Sequence, residues 1–468
     1  MYHSFRFPFL TLLLAIFFSS VAATAASDPA ALSTELLKKL VAADTTNPPG
    51  NESRGVRIVA ERLKSAGIQA SVIPFAPGRE NLVARINSSS SKKSQKKPLL
   101  LLAHLDVVPS QGQPWTTSPH LMTRQGNFWV GRGVFDDLGM AAIATEVFVF
   151  LKQSKAVLSR DVILALTGDE ESGGLGIRDL IKNHWDLINS EVALNEGENP
   201  VFDENGKVKW VGIQVAEKTY QDFEVIATGT TGHSSVPTLP NAIYKLSEAL
   251  TSIATFHPNP RLLPLTRAYF LARAAIETPA VSRAMHEVAE SRDELPPTAV
   301  KQIIANPMHE ALLQNTCVAT LIQGGTKVNA LPGQARASIN CRILPDEAIE
   351  DVRKKLVSLV NDPNIVIRAL EDNGVAGPSP ERSPQMDQMR KVISKRWPGV
   401  PIVPTMSLGA TDSRFLRLKG VHAYGLNPMP MLDNDQKRAH GIDERIPIDS
   451  LQTGFDFFKD LVMEIAGE

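Results

Sequence analysis

Apolar runs that each end in a cluster of acidic or histidine side chains constrain the fold of this chain more than any other feature. The runs and clusters read LLLLAHLD (ending at His104 and Asp106), GRGVFDD (Asp136 and Asp137), VILALTGDEE (Glu170 and Glu171), VALNEG (Glu196) and AHGIDE (His440). Three of these runs are unbroken, which is typical of strands that are buried on both faces of a parallel sheet. Ligands of open α/β sheets bind at the carboxyl ends of the strands, so we expect these side chains to meet in one cleft.

Two histidines and several carboxylates in one cleft predict a site for divalent metal ions, most simply two Zn²⁺ ions. Each motif also has an ordinary structural interpretation. The carboxylate of Asp106 could hold the second N–H of a metal-bound His104, or the pair could form a strand-end hydrogen bond without metal. Asp136 and Asp137 could bridge two metals, or could cap a helix and interact with its dipole.

The pair Glu170 and Glu171 is more specific. Adjacent residues of a strand point in opposite directions, so two glutamates at a buried strand end have different surroundings. One can ligate a metal while the other acts as a general base on bound water. With Glu196 ending the next apolar run, the series favours a metal-dependent hydrolase over the separate structural interpretations.

The composition is that of an ordinary globular protein with two or more domains. The chain has 468 residues, of which 43% are hydrophobic and 21% charged, and its formal net charge is -1. These values fall in the usual range for soluble domains. So balanced a charge would not draw the protein to nucleic acid or to anionic membranes, and no nucleic-acid-binding motif is present.

The N-terminus has the parts of a secretory signal peptide. Arg6 precedes the apolar run Phe7–Phe18, and small residues follow as far as Ala25. The run is short for a hydrocarbon layer of ~30 Å, and no other stretch is long or apolar enough to span one. We therefore expect residues 1–25 to be cleaved and the protein to be secreted or periplasmic. The alternative is an uncleaved N-terminal membrane anchor.

The order of helix and strand patterns predicts an α/β fold with a doubly wound mixed sheet. Helices are expected over 32–44, 54–67 and 138–153, with strands over 81–86, 98–104 and 161–168, and the polar stretch 87–97 predicts a hairpin loop. From about residue 218 the pattern becomes β-α-β-β-α-β, which is typical of a ferredoxin-like α+β domain. We expect this lid or dimerisation domain to span 218–375, with a helical insertion at 261–313, between catalytic parts 26–217 and 376–468.

Taken together, the motifs resemble those of the di-zinc metallopeptidases that include aminoacylase, acetylornithine deacetylase, succinyl-diaminopimelate desuccinylase and carnosinase. The resemblance covers nearly the whole chain after the signal peptide. The carboxypeptidase S branch is the most similar, because it shares the helical insertion and the run QGGTKVNALPGQARASINCRILP. Two positions depart from the pattern: Leu138 replaces the usual lysine, and Asn195 stands where aspartate is common.

The resemblance implies a role for each strand-end residue. It assigns two Zn²⁺ ions, for which Co²⁺ or Mn²⁺ are expected to substitute, to five ligands: His104, Asp136, Glu171, Glu196 and His440. Asp136 would bridge the ions, Glu170 would be the general base, and Asp106 would support His104.

The resemblance also implies how substrate is bound. His233 would polarise the scissile carbonyl, typically across a dimer, so a homodimer is a possible assembly. Asn329 would bind the substrate, and Arg342 would bind its carboxylate. The loop that would line the pocket consists of Gly409, Ala410 and Thr411.

These expectations predict a zinc-dependent amide hydrolase that cleaves short peptides or N-acyl amino acids beside a free C-terminal carboxylate. An enzyme restricted to N-acyl amino acids would use the same chemistry with a different acyl pocket. A catalytically silent zinc-binding homologue is the alternative from another class. The presence of Glu170 argues against it, because a silent relative has no use for a base that ligates nothing.

Cys317 and Cys341 are the only cysteines, and they lie symmetrically about Asn329 on successive predicted strands. If those strands pair antiparallel around that centre, the two cysteines face each other. A secreted protein could then join them in a disulfide. Two small buried thiols are the alternative.

Overall fold

The structure is a computed structural model, and it describes residues 1, 3, 29–89, 96–371 and 374–468. The signal-peptide prediction concerns residues 1–25 and, apart from residues 1 and 3, lies outside the described residues. Within the described part, no helix has the length and apolar character needed to cross a membrane.

The helices and strands fall into three stretches of the chain. The first contains α1 (Pro29–Ala42), α2 (Ser53–Ser65), β1 (Ala70–Ala76), β2 (Arg79–Ile86), β3 (Leu99–His104), β4 (Thr123–Gln125), β5 (Phe128–Val130), α3 (Leu138–Gln153), β6 (Val162–Thr167), α4 (Leu175–Asn183), α5 (Trp185–Ile188), β7 (Val192–Glu198), β8 (Pro200–Phe202) and β9 (Val208–Glu217). The second contains β10 (Thr219–Thr228), β11 (Gly232–His233), α6 (Ala242–Ile253), α7 (Pro264–Arg273), a 3₁₀ turn (Ala274–Ile276), α8 (Pro279–Glu290), α9 (Pro297–Ile303), α10 (Pro307–Leu313), β12 (Thr316–Gly324), β13 (Ala330–Leu331), β14 (Gln334–Ile343), α11 (Ile349–Val360) and β15 (Ile365–Ala369). The third contains α12 (Pro384–Arg396), β16 (Ile402–Ser407), α13 (Ser413–Leu418), β17 (His422–Leu426), β18 (Met431–Leu432), α14 (Asp433–Gln436), β19 (Arg445–Pro447) and α15 (Ile448–Ala466).

The large sheet is mixed, as the sequence predicts. Its strand order is β1-β2-β6-β3-β7-β17-β9-β8-β18, with β16 also paired to β9. The central strands β6, β3, β7 and β17 run parallel to their neighbours in that group, whereas β2 pairs antiparallel with β6.

Strand β3 shows why the apolar runs are unbroken. All six of its residues are buried. Leu99 and Leu101 pack into the core on one face of the sheet, whereas Leu100 and Leu102 pack into the core on the other face. Because helices cover both faces, neither side of the strand can be polar.

The predicted hairpin between β2 and β3 is wrong. Strand β6 lies between them and pairs with both, antiparallel to β2 and parallel to β3. Each of the three strands contains an apolar stretch, so hydrophobic periodicity does not distinguish which of them are neighbours.

A second, four-stranded sheet is antiparallel and has the order β12-β14-β10-β15. Its strands and the helices α6 and α11 follow one another as β-α-β-β-α-β, the split βαβ arrangement. Leu246 of α6 and Val352 of α11 pack in one core with Phe223 and Ile339 of the sheet. Helices α7 to α10 instead contribute side chains to the core of the large sheet; Phe270 of α7 is one of them.

Cys317 and Cys341 form a disulfide between β12 and β14. They are direct partners in the antiparallel register, and their Cα atoms are 4.1 Å apart. Of the two alternatives that the sequence leaves open, the structure contains the bridge.

Candidate active site

The site lies where the parallel strands β3, β6 and β7 end at one edge of the large sheet. His104 is the last residue of β3 and is in register with Thr167 at the end of β6. Glu170 and Glu171 follow β6 after a short turn, and Glu196 lies near the end of β7. Because these strands end at the same edge of the sheet, side chains that are far apart in the chain lie close together.

Five of the sequence-predicted residues, two histidines and three carboxylates, form one compact cluster. Nε2 of His104 lies 3.2 Å from Oδ1 of Asp136 and 3.9 Å from Oε1 of Glu196. Nε2 of His440 lies 3.1 Å from Oδ2 of Asp136 and 3.1 Å from Oε2 of Glu171. Asp136 thus presents one carboxylate oxygen to each histidine, as a group shared by two ions would.

The chemistry of this cluster fits divalent metal ions. Oε1 of Glu171 and Oε1 of Glu196 are buried and have no hydrogen-bond partner among the described residues. Burial raises the pKa of both carboxyls, and nearby Asp136 raises them further. Unpaired buried carboxylates are costly unless a cation balances them. Imidazole and carboxylate groups are ordinary ligands of Zn²⁺.

Glu170 lies in the same cleft, in surroundings that raise the pKa of its carboxyl. Burial raises its pKa well above the usual range, and the neighbouring carboxylate of Glu196 adds to the shift. A raised pKa suits a carboxylate that must take up a proton and later release it near neutral pH.

Asp106 shapes the turn that carries the two glutamates. Its carboxylate oxygens accept hydrogen bonds from the main-chain N–H groups of Glu170 and Glu171, each at 3.1 Å. Nδ2 of Asn47 donates to the same carboxylate at 2.8 Å. Asp106 also supports His104, but the closer contact is through its main-chain oxygen, which accepts from Nδ1 at 2.9 Å, whereas the carboxylate is 3.6 Å away.

Glu444 is a residue whose role sequence reasoning missed. Its buried carboxylate pairs with Arg132 at 2.8 Å and accepts main-chain N–H groups from Gly133, Phe135 and Asp136 at 2.9 to 3.1 Å. It therefore holds the loop that presents Asp136. Two features of the sequence could have indicated this role. Glu444 is the final acid of AHGIDE, and Arg132 is the arginine of GRG.

A buried ion-pair network behind the cluster had no signal in the sequence. Arg79 pairs with Glu52 through Nε at 3.0 Å and with Asp169 at 2.7 Å. Asn47 links this network to the site, because its Nδ2 also donates to Asp169 at 3.1 Å. Asp169 has a positive φ of 68°, so these contacts hold a strained residue immediately before Glu170.

A cavity of about 730 Å³ extends from the cluster toward the four-stranded sheet. Glu170, Glu171 and His440 line it on one side, and Arg342 and Tyr220 line it on the other. The guanidinium of Arg342 lies 4.6 Å from the centre of the Tyr220 ring. Burial lowers the pKa of Arg342, which nevertheless remains a cation at neutral pH.

The predicted pocket loop lies at the same cavity. Gly409, Ala410 and Thr411 all line it. The main-chain N–H of Thr411 donates to Glu217, which forms a fully buried ion pair with Arg417. The pair fixes the loop to the large sheet. No pattern in the sequence indicates it.

His233 and Asn329 do not reach this cavity within one chain. Both are exposed and lie beside each other, because β11 pairs with β13 and the N–H of Ser234 donates to the main-chain oxygen of Asn329 at 3.1 Å. Neither residue lines the cavity that contains Arg342.

Comparison with known proteins identifies the family of this chain. The model of the family described as peptidase family M20/M25/M40 matches residues 100–464. The chain belongs to this family. A "probable carboxypeptidase S-like 2" of Dictyostelium discoideum is 27% identical, over 78% of this chain and 71% of that protein. The human "N-fatty-acyl-amino acid synthase/hydrolase" is also 27% identical, over 78% of this chain and 74% of that protein.

The M20 fold is also found in a solved structure. An M20 family metallo-carboxypeptidase of Sulfolobus solfataricus matches with a TM-score of 0.69 at 18% identity, covering 92% of this chain and 98% of that one. This M20 chain is accordingly a hydrolase of amide bonds, and the acidic cluster with its two histidines is its candidate metal centre.

Proposed function

We propose that this M20 protein cleaves short peptides or N-acyl amino acids beside a free C-terminal carboxylate, with two zinc ions held by the cluster. The observation that carries the proposal is one continuous cavity. It contains the candidate base Glu170, two of the candidate ligands, Glu171 and His440, and a single arginine from the four-stranded sheet, Arg342, stacked on an aromatic ring.

His104 and Glu196 would hold one ion, Glu171 and His440 the other, and Asp136 would be shared. Bound zinc would supply Lewis acidity, which polarises a carbonyl and lowers the pKa of water from 15.7 to about 7. Asp106 and Glu444 would act behind these ligands, by fixing the two loops that present them. Contacts that orient metal ligands commonly affect both metal affinity and activity.

Glu170 would move the proton in the reaction. It would take a proton from the attacking water and deliver it to the nitrogen of the leaving amine, so that the amide C–N bond breaks and a carboxylate and an amine leave. Its buried carboxyl with a raised pKa is suited to both steps.

Arg342 would orient the substrate. A guanidinium presents two parallel N–H groups that match a carboxylate, and its stacking on Tyr220 limits its rotation. Bound in this way, the terminal carboxylate would place the adjacent amide bond beside Glu170. Activity would then be restricted to bonds next to a C-terminus.

A homodimer would bring His233 to the cleft of the partner chain. Strand β12 is an edge strand, and the apolar side chains of Val318, Leu321 and Ile322 on it are exposed. Tyr244 of α6 is exposed as well. Exposed apolar patches and open strand edges are typical of protein–protein interfaces. This surface adjoins the turn that carries His233 and Asn329, which supports a role for both across a dimer.

Export from the cytoplasm is proposed from the N-terminal sequence and is supported by the disulfide of Cys317 and Cys341. Structural disulfides persist mainly in oxidising compartments.

The direct test is a hydrolysis screen of purified protein against dipeptides and N-acyl amino acids. The same substrates with a blocked C-terminal carboxylate serve as controls, and each assay is repeated after exhaustive chelation. We expect cleavage only of the free acids, loss of activity on chelation, and recovery with Zn²⁺. Full activity in chelated protein, or equal cleavage of blocked substrates, would contradict the proposal.

Glu170→Ala separates the proton carrier from the ligands. Turnover should fall by at least ~10²-fold, the usual scale for acid–base catalysis, because the proton has no other carrier. Metal content, measured by elemental analysis, should stay close to two ions per chain. Loss of metal with this variant would instead identify Glu170 as a ligand and leave Glu171 as the candidate base.

A further inference from the structure

A second cavity, of about 300 Å³, borders the candidate metal centre at Asp136 and Glu196. The cavity that contains Arg342 borders it at Glu170, Glu171 and His440 instead. Ala410 and Thr411 line both cavities. The metal centre is therefore flanked by two distinct spaces.

An amide substrate has two halves, which lie on either side of the scissile carbonyl. If Arg342 binds the carboxylate of the leaving amino acid, that half occupies the first cavity. The carbonyl must then lie at the metal centre, beside Glu170. The space left for the acyl half is the second cavity, and its lining decides which acyl groups are accepted.

The lining of the second cavity is mainly polar. Beyond the polar residues at the candidate metal centre and Thr411, six more side chains carry hydrogen-bonding groups: Glu198, Asn199, Gln214, Ser407, Asn427 and Gln436. Phe135 is the only large apolar side chain among the lining residues. The volume lies at the lower end of the ~300–1,000 Å³ that small-molecule sites usually enclose.

Gln214 contributes an unpaired hydrogen-bond donor to this lining. It lies on β9, its side chain is 2% exposed, and its Nε2 has no hydrogen-bond partner among the described residues. Most buried polar groups in proteins are paired, so an unpaired donor at a cavity is suited to an acceptor on a ligand. The neighbouring amides are already ordered, since Nε2 of Gln436 donates to Oδ1 of Asn199 at 2.8 Å.

We propose that this second cavity is the acyl subsite and that it selects a short acyl group with hydrogen-bond acceptors, such as an aminoacyl residue with a polar side chain, over a fatty acyl chain. The inference rests on the proposed function and specifies its substrate class. A fatty chain would bury Nε2 of Gln214 without a partner, and a site built for hydrogen bonds discriminates strongly against analogues that lack them.

The test uses substrates that share leucine as the leaving amino acid. Asn-Leu and Leu-Leu have acyl residues of similar size and equal charge, and N-dodecanoyl-leucine represents the fatty acyl class. We expect kcat/KM for Asn-Leu to exceed that for Leu-Leu by about tenfold, the effect of one hydrogen bond between neutral groups. N-dodecanoyl-leucine should be the poorest of the three.

Gln214→Met keeps the size of the side chain and removes the amide. It should reduce the preference for Asn-Leu over Leu-Leu to about twofold. Gln385→Met is the matched control, because Gln385 is 4% exposed and donates to Glu191 at 3.1 Å outside both cavities. It should leave the preference unchanged. If Gln214→Met does not fold, Gln214→Leu, which also lacks the amide, is used with the same expectation.

Binding gives a readout that does not depend on turnover. In the Glu170→Gln background, calorimetry should show tighter binding of Asn-Leu than of Leu-Leu, and Gln214→Met should remove the difference. A higher kcat/KM for N-dodecanoyl-leucine, or equal preferences in Gln214→Met and wild type, would overturn this inference and leave the proposed function intact. Absence of cleavage of all three substrates by zinc-loaded protein would overturn both.

Discussion

Replacing Asp106 by asparagine is expected to slow catalysis without removing metal. Oδ2 of Asp106 accepts from Glu171 N–H and from Asn47, whereas Oδ1 accepts from Glu170 N–H. Asparagine has one acceptor oxygen, and it keeps two of the three bonds only in the Oδ2 position. Its NH₂ group would then face the N–H of Glu170, where neither group can accept.

The metal ligands should be affected much less. Glu171 keeps its main-chain bond in this arrangement, and His104 is held at 2.9 Å by the main-chain oxygen of residue 106, which the substitution does not change. An unpaired buried N–H costs about 1–3 kcal/mol. If that cost displaces Glu170 from its position in the transition state, the rate falls by about 5- to 150-fold.

The assay is kcat/KM with a dipeptide substrate, combined with elemental analysis of metal and a thermal unfolding curve. Asp161→Asn is the matched control, because Asp161 accepts from the N–H of Ser88 at 2.8 Å and pairs with Arg85 outside the cleft. An Asp106→Asn protein with the wild-type rate, or one that loses metal while turnover per bound metal is unchanged, would refute this account of Asp106.

Two further predictions concern the four-stranded sheet and its junction with the large one. If His233 acts across a dimer, mixing His233→Ala chains with Glu170→Ala chains should restore part of the activity that each lacks, and no recovery in demonstrated heterodimers would exclude that role. Lys218 lies between β9 and β10, and burial, assisted by nearby Arg342, lowers its pKa to about 7 from 10.5. The unfolded chain then binds more protons, so the free energy of unfolding should rise from about pH 7 to pH 10, and urea titrations of Lys218→Met should show a flatter rise.

Local features of the fold were predictable from the sequence because they depend on nearby residues. The helix expected over 138–153 has the same bounds in the structure, and β3 and β6 differ from the strands expected over 98–104 and 161–168 by at most one residue at each end. The position of β6 between β2 and β3 was not predictable in this way. Strand neighbours are set by packing between distant segments, and the residue pattern of a strand does not show which strand lies next to it.

The candidate site could likewise be predicted from the sequence only in part. Residues at strand ends, such as His104 and Glu171, could be singled out because a buried apolar run makes a following charge conspicuous. Glu52, Arg79 and Glu217 could not, since nothing in the sequence distinguishes them from surface charges and each has its partner at a distance in the chain. Their importance is visible only in three dimensions, where burial requires them to be paired.

The position of β17 in the large sheet has a consequence for how the protein is made. This strand lies between β7 and β9 but comes from residues 422–426, more than 200 residues after β7. During synthesis, both flanking strands must wait with open edges until nearly the whole chain has emerged, and such long-range pairing is slow and prone to aggregation. A chain terminated before β17 would lack His440 as well, so a C-terminal deletion of that extent should give insoluble protein rather than weakly active enzyme.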